Sequence, residues 1–118
     1  MDQTAPFCLL LLGQPTLRHR LRQGTFTALD QRIAVRYAIG GLTAPETTSY
    51  VQHHLALAGR SDTLFSDDAV ALIHEVSRGL PRQVNNLAVS ALIAAFATKK
   101  GIVDESAARA AVAEISTE

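Results

Sequence analysis

Apolar side chains follow three patterns along this chain. Phe7-Cys8-Leu9-Leu10-Leu11-Leu12 is a continuous run closed by Gly13. A run without polar interruption predicts a strand buried on both faces, as in the middle of a parallel sheet. Ile33, Val35, Tyr37 and Ile39 alternate with Ala34, Arg36 and Ala38. That two-residue period predicts a second strand, ended by Gly40-Gly41. Between them, Gln14-Pro15 starts a short helix through Gln23, with Leu17 and Leu21 on one face, Arg18 and Arg22 on another, and Gly24 as its stop. Thr27 to Arg32 adds one or two helical turns.

Beyond residue 42 the period is helical. Thr43-Ala44-Pro45-Glu46 has the capping-box spacing, and the helix it opens carries Tyr50, Val51, His54, Leu55 and Ala58 on one stripe and ends at Gly59. Ser66 caps the next helix, with Asp67 and Asp68 at its positive end. Val70, Leu72, Ile73 and Val76 form its buried side, and Gly79 closes it. A third helix runs from Pro81 to about Lys100, with an alanine-rich stripe of Val84, Leu87, Ala88, Ala91, Leu92 and Ala95, and with Lys99 and Lys100 in its last turn. Asp104 caps a last helix whose Ala108, Ala111, Val112 and Ile115 face inward. The predicted order is strand, helix, strand, then four helices.

At 118 residues the chain is one domain at most, and 47% apolar with 19% charged residues describes a globular chain with a real core. The formal net charge is zero, but it is unevenly spread: Arg18, Arg20, Arg22, Arg32 and Arg36 fall within nineteen positions. The single Cys8 excludes an internal disulfide and reads as a buried, inert thiol. The apolar run is too short to cross a membrane and has no basic segment before it, so the chain reads as cytoplasmic.

The most informative local feature is Gly79-Leu80-Pro81-Arg82. Gly79 suits the left-handed end of one helix and Pro81 the first position of the next. Arg82 then lies in a first helical turn, where a cation opposes the helix dipole. Such a charge calls for an anion nearby, a nucleotide phosphate for example; the alternative is a solvated arginine after a tight turn.

Three ordered stretches carry a family likeness: Leu10-Leu11-Leu12-Gly13-Gln14-Pro15-Thr16-Leu17-Arg18, Leu29 through Tyr37, and Ser77-Arg78-Gly79-Leu80-Pro81-Arg82-Gln83-Val84-Asn85-Asn86-Leu87. Together they resemble the C-terminal part of an AAA+ ATPase of the ExeA secretion type, or of the related ATP-binding subunits encoded beside transposases. The resemblance implies a mainly α fold with a small β remnant. Residues 1–42 would be a strand-helix-strand remnant of the P-loop NTPase core, and residues 43–118 a four-helix lid. It also implies roles for single residues. Gln14 maps to the polar sensor at the end of a core strand, or else caps a helix. Arg32 resembles the arginine finger that reaches a neighbouring subunit's nucleotide, with Arg36 as the alternative. Arg82 maps to the second sensor, carried by the lid.

The departures from the family matter as much. The lysines are Lys99 and Lys100, followed by Gly101, so no G-x-x-x-x-G-K-[ST] loop exists, and no apolar strand ends in an acidic pair for magnesium. ATP and magnesium belong to the full-length family; this chain alone is expected to bind neither tightly and to be inactive as an enzyme. Met1-Asp2-Gln3 looks like an internal stretch of a longer relative, which implies a fragment. Both strands would then have lost the strand between them, and they should pair with each other or recruit a second copy.

Other partners implied by the resemblance are a secretion protein or a transposase, with Arg18, Arg20 and Arg22 available for non-specific DNA contacts. The competing reading is a non-enzymatic DNA-binding or protein-interaction module. In it, the junction at Gly79 is a helix-turn-helix that reads through Gln83, Asn85, Asn86 and Ser90. Metal catalysis finds no support: His53, His54 and His74 lack a second ligand cluster at zinc spacing, His54 is expected to border the helical core and His53 to be solvated.

Overall fold

Side-chain caps start three of the helices in the C-terminal part of the chain. In the computed structural model, which describes residues 6–116, Thr43 and Glu46 form a complete capping box: the Glu46 amide donates to Thr43 Oγ1 and the Thr43 amide donates to Glu46 Oε1. It opens α3, Ala44–Leu57, with Pro45 in its first turn. Ser66 Oγ accepts from the Ala69 amide at the head of α4, Asp67–Ser77. Asp104 Oδ1 accepts from the Ala107 amide at the head of α6, Glu105–Ser116. Between α4 and α6 lies α5, Pro81–Ala97. Near the start of the chain are α1, Pro15–Leu21, a single 3-10 turn at Gly24–Phe26, and α2, Thr27–Arg32.

The chain divides into two compact units, one ending at Ala38 and the other beginning at Ile39. The core of the second is built by α3 to α6. Ile73, Val84 and Val103 are its largest fully buried apolar side chains. Ala91, Ala95, Ala108 and Ala111 are also buried, and with so little side chain between them the backbones of α5 and α6 can approach closely. Two loops are stitched beside this core. Val103 donates its amide to the Leu64 carbonyl at 2.7 Å, and the Ser66 amide donates to the Val103 carbonyl at 2.9 Å, making an isolated parallel bridge that buries Phe65 and Val103. The fully buried polar side chains are satisfied: Thr47 Oγ1 lies 2.8 Å from His74 Nδ1, and Ser77 Oγ accepts from the Gly79 amide at 3.1 Å. The former ties α3 to α4. In the first unit Leu17, Leu21, Leu29 and Ile33 are half-buried, and none of its described residues is fully buried.

The chain is mainly helical, but the strand-helix-strand remnant is not formed. Among the described residues no ladder holds Phe7–Leu12 or Ile33–Ile39. Phe7, Leu9, Leu10, Leu11 and Leu12 are exposed, as are Val35, Tyr37 and Ile39. The reason is that a strand is stabilised by its neighbours' backbone groups, and alternation alone supplies none. The expected direct pairing of the two segments does not occur either.

Cys8 is likewise exposed rather than buried, because the run that was to bury it has no sheet around it. Helix α1 stops at Leu21, two residues short of Gln23, and α5 stops at Ala97. Lys99 takes a left-handed φ of 58°, so both lysines fall beyond the helix. Ala58, Val76 and Ile115 are exposed rather than inward-facing, since the apolar stripes of their helices are wider than the neighbours that cover them.

Candidate functional site

The junction between α4 and α5 is packed backbone against backbone. Arg78 and Gly79 are both left-handed, with φ of 57° and 73°. The preceding segment is laid against this turn: the Leu42 amide donates to the Gly79 carbonyl at 2.8 Å. The approach is so close that a Cβ on Gly79 would fall 2.1 Å from the Leu42 carbonyl oxygen, and one on Gly41 2.1 Å from the Arg78 carbonyl oxygen. The contact therefore needs a glycine on each side, Gly79 against the Leu42 backbone and Gly41 against that of Arg78.

This clamp sets the start of α5. Leu80 is its N-cap residue and offers no side-chain hydrogen bond, and Pro81 has no N–H to offer. The amides of Arg82 and Gln83 are thus uncapped, in contrast to the heads of α3, α4 and α6. The first turn of α5 holds no acidic residue. Arg82 is exposed there and, like Arg78 one turn earlier, has no hydrogen-bonded or ionic partner among the described residues. Two free guanidinium groups and an uncapped positive helix end make a surface that nothing among the described residues neutralises.

The flank of this site is tied to α3. Tyr50 donates its hydroxyl proton to Asn85 Oδ1 at 3.0 Å, and its ring packs on His54 at 4.4 Å between centroids. His54 is exposed and does not border the core as expected: one turn beyond Tyr50, it covers the tyrosine ring on the solvent side. Leu42, Pro45, Glu46, Ser49, Tyr50 and His53 line an open hollow of about 440 Å³ with largely nonpolar walls. Tyr50 belongs to both features, so the hollow lies beside the first two turns of α5.

The remaining sites predicted from sequence lie in the first unit. Gln14 is the N-cap residue of α1, yet its side chain makes no capping bond; only its backbone carbonyl accepts, from the Leu17 amide at 2.8 Å. Arg36 is engaged by Asp30, donating to both its backbone carbonyl and its Oδ1, the latter at 2.8 Å. Arg32 is exposed and without a partner among the described residues, as are Arg18, Arg20 and Arg22. His74 is occupied by Thr47, and among the described residues no three His, Cys, Asp or Glu side chains converge as metal ligands. On α5, Asn85 and Asn86 are exposed and Ser90 is half-buried, while the centre of the outer face is taken by Val89, Ile93 and Phe96. A polar reading face for DNA is therefore interrupted. None of the described helices is long and apolar enough to cross a membrane.

No family model matches the chain, and no solved structure matches it. It is similar to General secretion pathway protein A of Aeromonas hydrophila, with 38% identity over 96 residues. That similarity covers 81% of this chain but spans only 18% of the relative's length, so the kinship with a secretion pathway protein holds for most of this chain and for a small part of the larger protein.

Proposed function

We propose that this chain is the lid portion of an ATP-binding, nucleotide-dependent assembly protein of a secretion pathway, and that Arg82 reads a phosphate group. The observation that carries the reading is the head of α5, uncapped and cationic on a turn locked by Gly79 and Leu42. The similarity to a secretion pathway protein favours that setting over transposition. A guanidinium in a first helical turn meets a phosphate together with the free amides behind it. Because the turn is hydrogen-bonded and closely packed against Leu42, loss of the phosphate would be felt by the four-helix unit as a whole rather than by one side chain.

ATP and magnesium enter only as what a longer relative would supply. The residues present offer one side of a phosphate site; the sequence holds no loop to cradle it, and among the described residues no carboxylates converge for a metal. No hydrolytic step is assigned to them. Within the same reading, Arg32 is the better arginine finger, since Asp30 already engages Arg36. Gln14, with an uncommitted amide at the head of α1, keeps its role as the polar sensor. Arg18, Arg20 and Arg22 remain available for phosphate contacts of a nucleic acid.

The test is nuclear magnetic resonance of the whole chain titrated with ATP, and separately with pyrophosphate. The expected result is saturable shifts at the amides of Arg82 and Gln83 and at the Arg78 and Arg82 side chains, lost in Arg82→Gln. Shifts confined to Arg18, Arg20 and Arg22, or an unchanged response in Arg82→Gln, would replace this reading with non-specific anion binding.

A further inference from the structure

We infer that the outward face of α5 is a docking seam for a helix of another polypeptide, apolar along its length and acidic at both ends. Helix α5 is apolar on two opposite sides. Val84, Leu87, Ala91 and Ala95 are buried, while on the far side Val89, Ile93 and Phe96 are 54%, 63% and 85% exposed. A helix that is apolar all round is stable in water only when both sides are covered. Positions 89, 93 and 96 follow the alternating four-and-three spacing of a coiled-coil seam, and Asn86 and Arg82 continue it toward the head of the helix.

Charge selects the occupant. No Asp or Glu occurs from Val76 to Val103, a stretch that holds Arg78 and Arg82 at one end of α5 and Lys99 and Lys100 at the other. Lys100 is bound to Asp104 at 2.9 Å, whereas Arg78, Arg82 and Lys99 have no carboxylate partner among the described residues. The seam thus ends in a free cation on each side, roughly 25 Å apart at the rise of an α-helix. A second copy of α5 would set Arg82 beside Arg82 in a parallel pair. In an antiparallel pair centred on Ile93 it would add lysines to a face that has no carboxylate to meet them.

A lipid surface suits the arrangement less well. Membrane-surface helices carry their cations along the flanks, but here the flanks hold Asn85, Ser90 and Ala97. An incoming helix with Leu or Ile at its seam and Asp or Glu near each end satisfies both the apolar row and the two charged ends.

The inference shares Arg82 with the proposed phosphate site but rests on the apolar row of Val89, Ile93 and Phe96. The test therefore leaves Arg82 unchanged and omits nucleotide, and its failure is distinguishable from failure of the phosphate reading. The whole chain is titrated by fluorescence anisotropy with a labelled three-heptad peptide bearing Leu at the seam positions and Glu at both ends. A second peptide has Lys in place of each Glu. The acidic peptide is expected to bind at least about tenfold more tightly than the basic one, and Ile93→Asp and Phe96→Ser to weaken it by about tenfold or more, in line with truncation of a central contact. Both side chains point to solvent, so circular dichroism should show the helical content unchanged. Equal binding of the two peptides overturns the inference, as does binding that Ile93→Asp leaves intact. So does a dimer that Ile93→Asp converts to monomer, or Ile93-dependent binding to phosphatidylserine vesicles without binding to the acidic peptide, since either would identify a different occupant.

Discussion

Leu42 and Gly79 meet backbone to backbone: the Leu42 amide donates to the Gly79 carbonyl at 2.8 Å, while a Cβ on Gly79 would lie 2.1 Å from the Leu42 carbonyl oxygen. Gly79 is also at φ 73°, a region costly for any residue with a side chain. Gly79→Ala is therefore expected to destabilise the helical unit by about 2–4 kcal/mol, with strain and steric displacement adding. Gly41→Ala should act in the same direction, through the Arg78 carbonyl. Urea unfolding followed by circular dichroism checks both, and a loss below about 0.5 kcal/mol at Gly79 would mean that the two segments separate in solution.

Arg82 gives a prediction of opposite sign. A cation in a first helical turn opposes the dipole, by about 0.3–1 kcal/mol. Arg82→Gln should leave stability unchanged or raise it within that range, while abolishing the response to pyrophosphate. The pairing of the two results is the informative part: a residue kept at a cost to stability is kept for a ligand. If Arg82→Gln lowers stability by more than about 1 kcal/mol, the arginine is structural and the ligand argument fails.

Acid should unfold the helical unit through its caps and ion pairs. The backbone and side chain of Thr43 hold the Glu46 carboxyl below its ordinary range. Lys100 chiefly, with the Ala107 amide, does the same for Asp104. The Arg60 guanidinium brings Asp62 from 3.8 to about 2. A carboxyl depressed in the folded state contributes stability that is present above its unfolded value and lost as pH falls through its folded value. Stability should be level from neutrality down to about pH 5 and should then decline from about pH 4.5 toward 2. Glu46→Gln and Asp104→Asn should flatten that decline, more than Asp62→Asn does, because Arg60 and Asp62 are neighbours in sequence and can pair in the unfolded chain. Thermal melts at stepped pH read this directly; a decline of unchanged steepness in both cap variants would remove the caps from the explanation.

The exposed run from Phe7 to Leu12 should drive self-association. Sedimentation equilibrium of the whole chain is expected to show a mass above the monomer, unaffected by ATP and magnesium, and Leu10→Asp with Leu12→Asp should return it to monomer. A clean monomer with the native run in place would sink this expectation, and a mass that changes with ATP would mean that the nucleotide site is less incomplete than its missing loop implies.

What the sequence determined by itself was local. Thr43 with Glu46, Ser66, Asp104 and Gly79 each mark a helix boundary because a cap or a left-handed residue acts on amides within three or four positions, a distance the chain spells out. The placement of Arg82 in the first turn of α5 follows from Gly79 and Pro81 alone, so the centre of the proposed phosphate site is legible in the sequence.

Tertiary structure decided everything that depends on residues far apart in the chain. Whether Phe7–Leu12 and Ile33–Ile39 become strands depends on partner strands, and none is formed among the described residues, so Phe7, Leu9, Leu10, Leu11, Leu12, Val35, Tyr37, Ile39 and Cys8 remain in solvent. The left-handed Arg78, the approach of Gly41 and Leu42 to the turn, the Tyr50–Asn85 bond and the Thr47–His74 pair join segments that no spacing rule connects. The two sides of α5 divide between the two levels. The stripe of Val84, Leu87, Ala91 and Ala95 is legible from its helical spacing and is buried, whereas the second apolar row of Val89, Ile93 and Phe96 is left in solvent because the small alanines of the other side let α6 pack closely there.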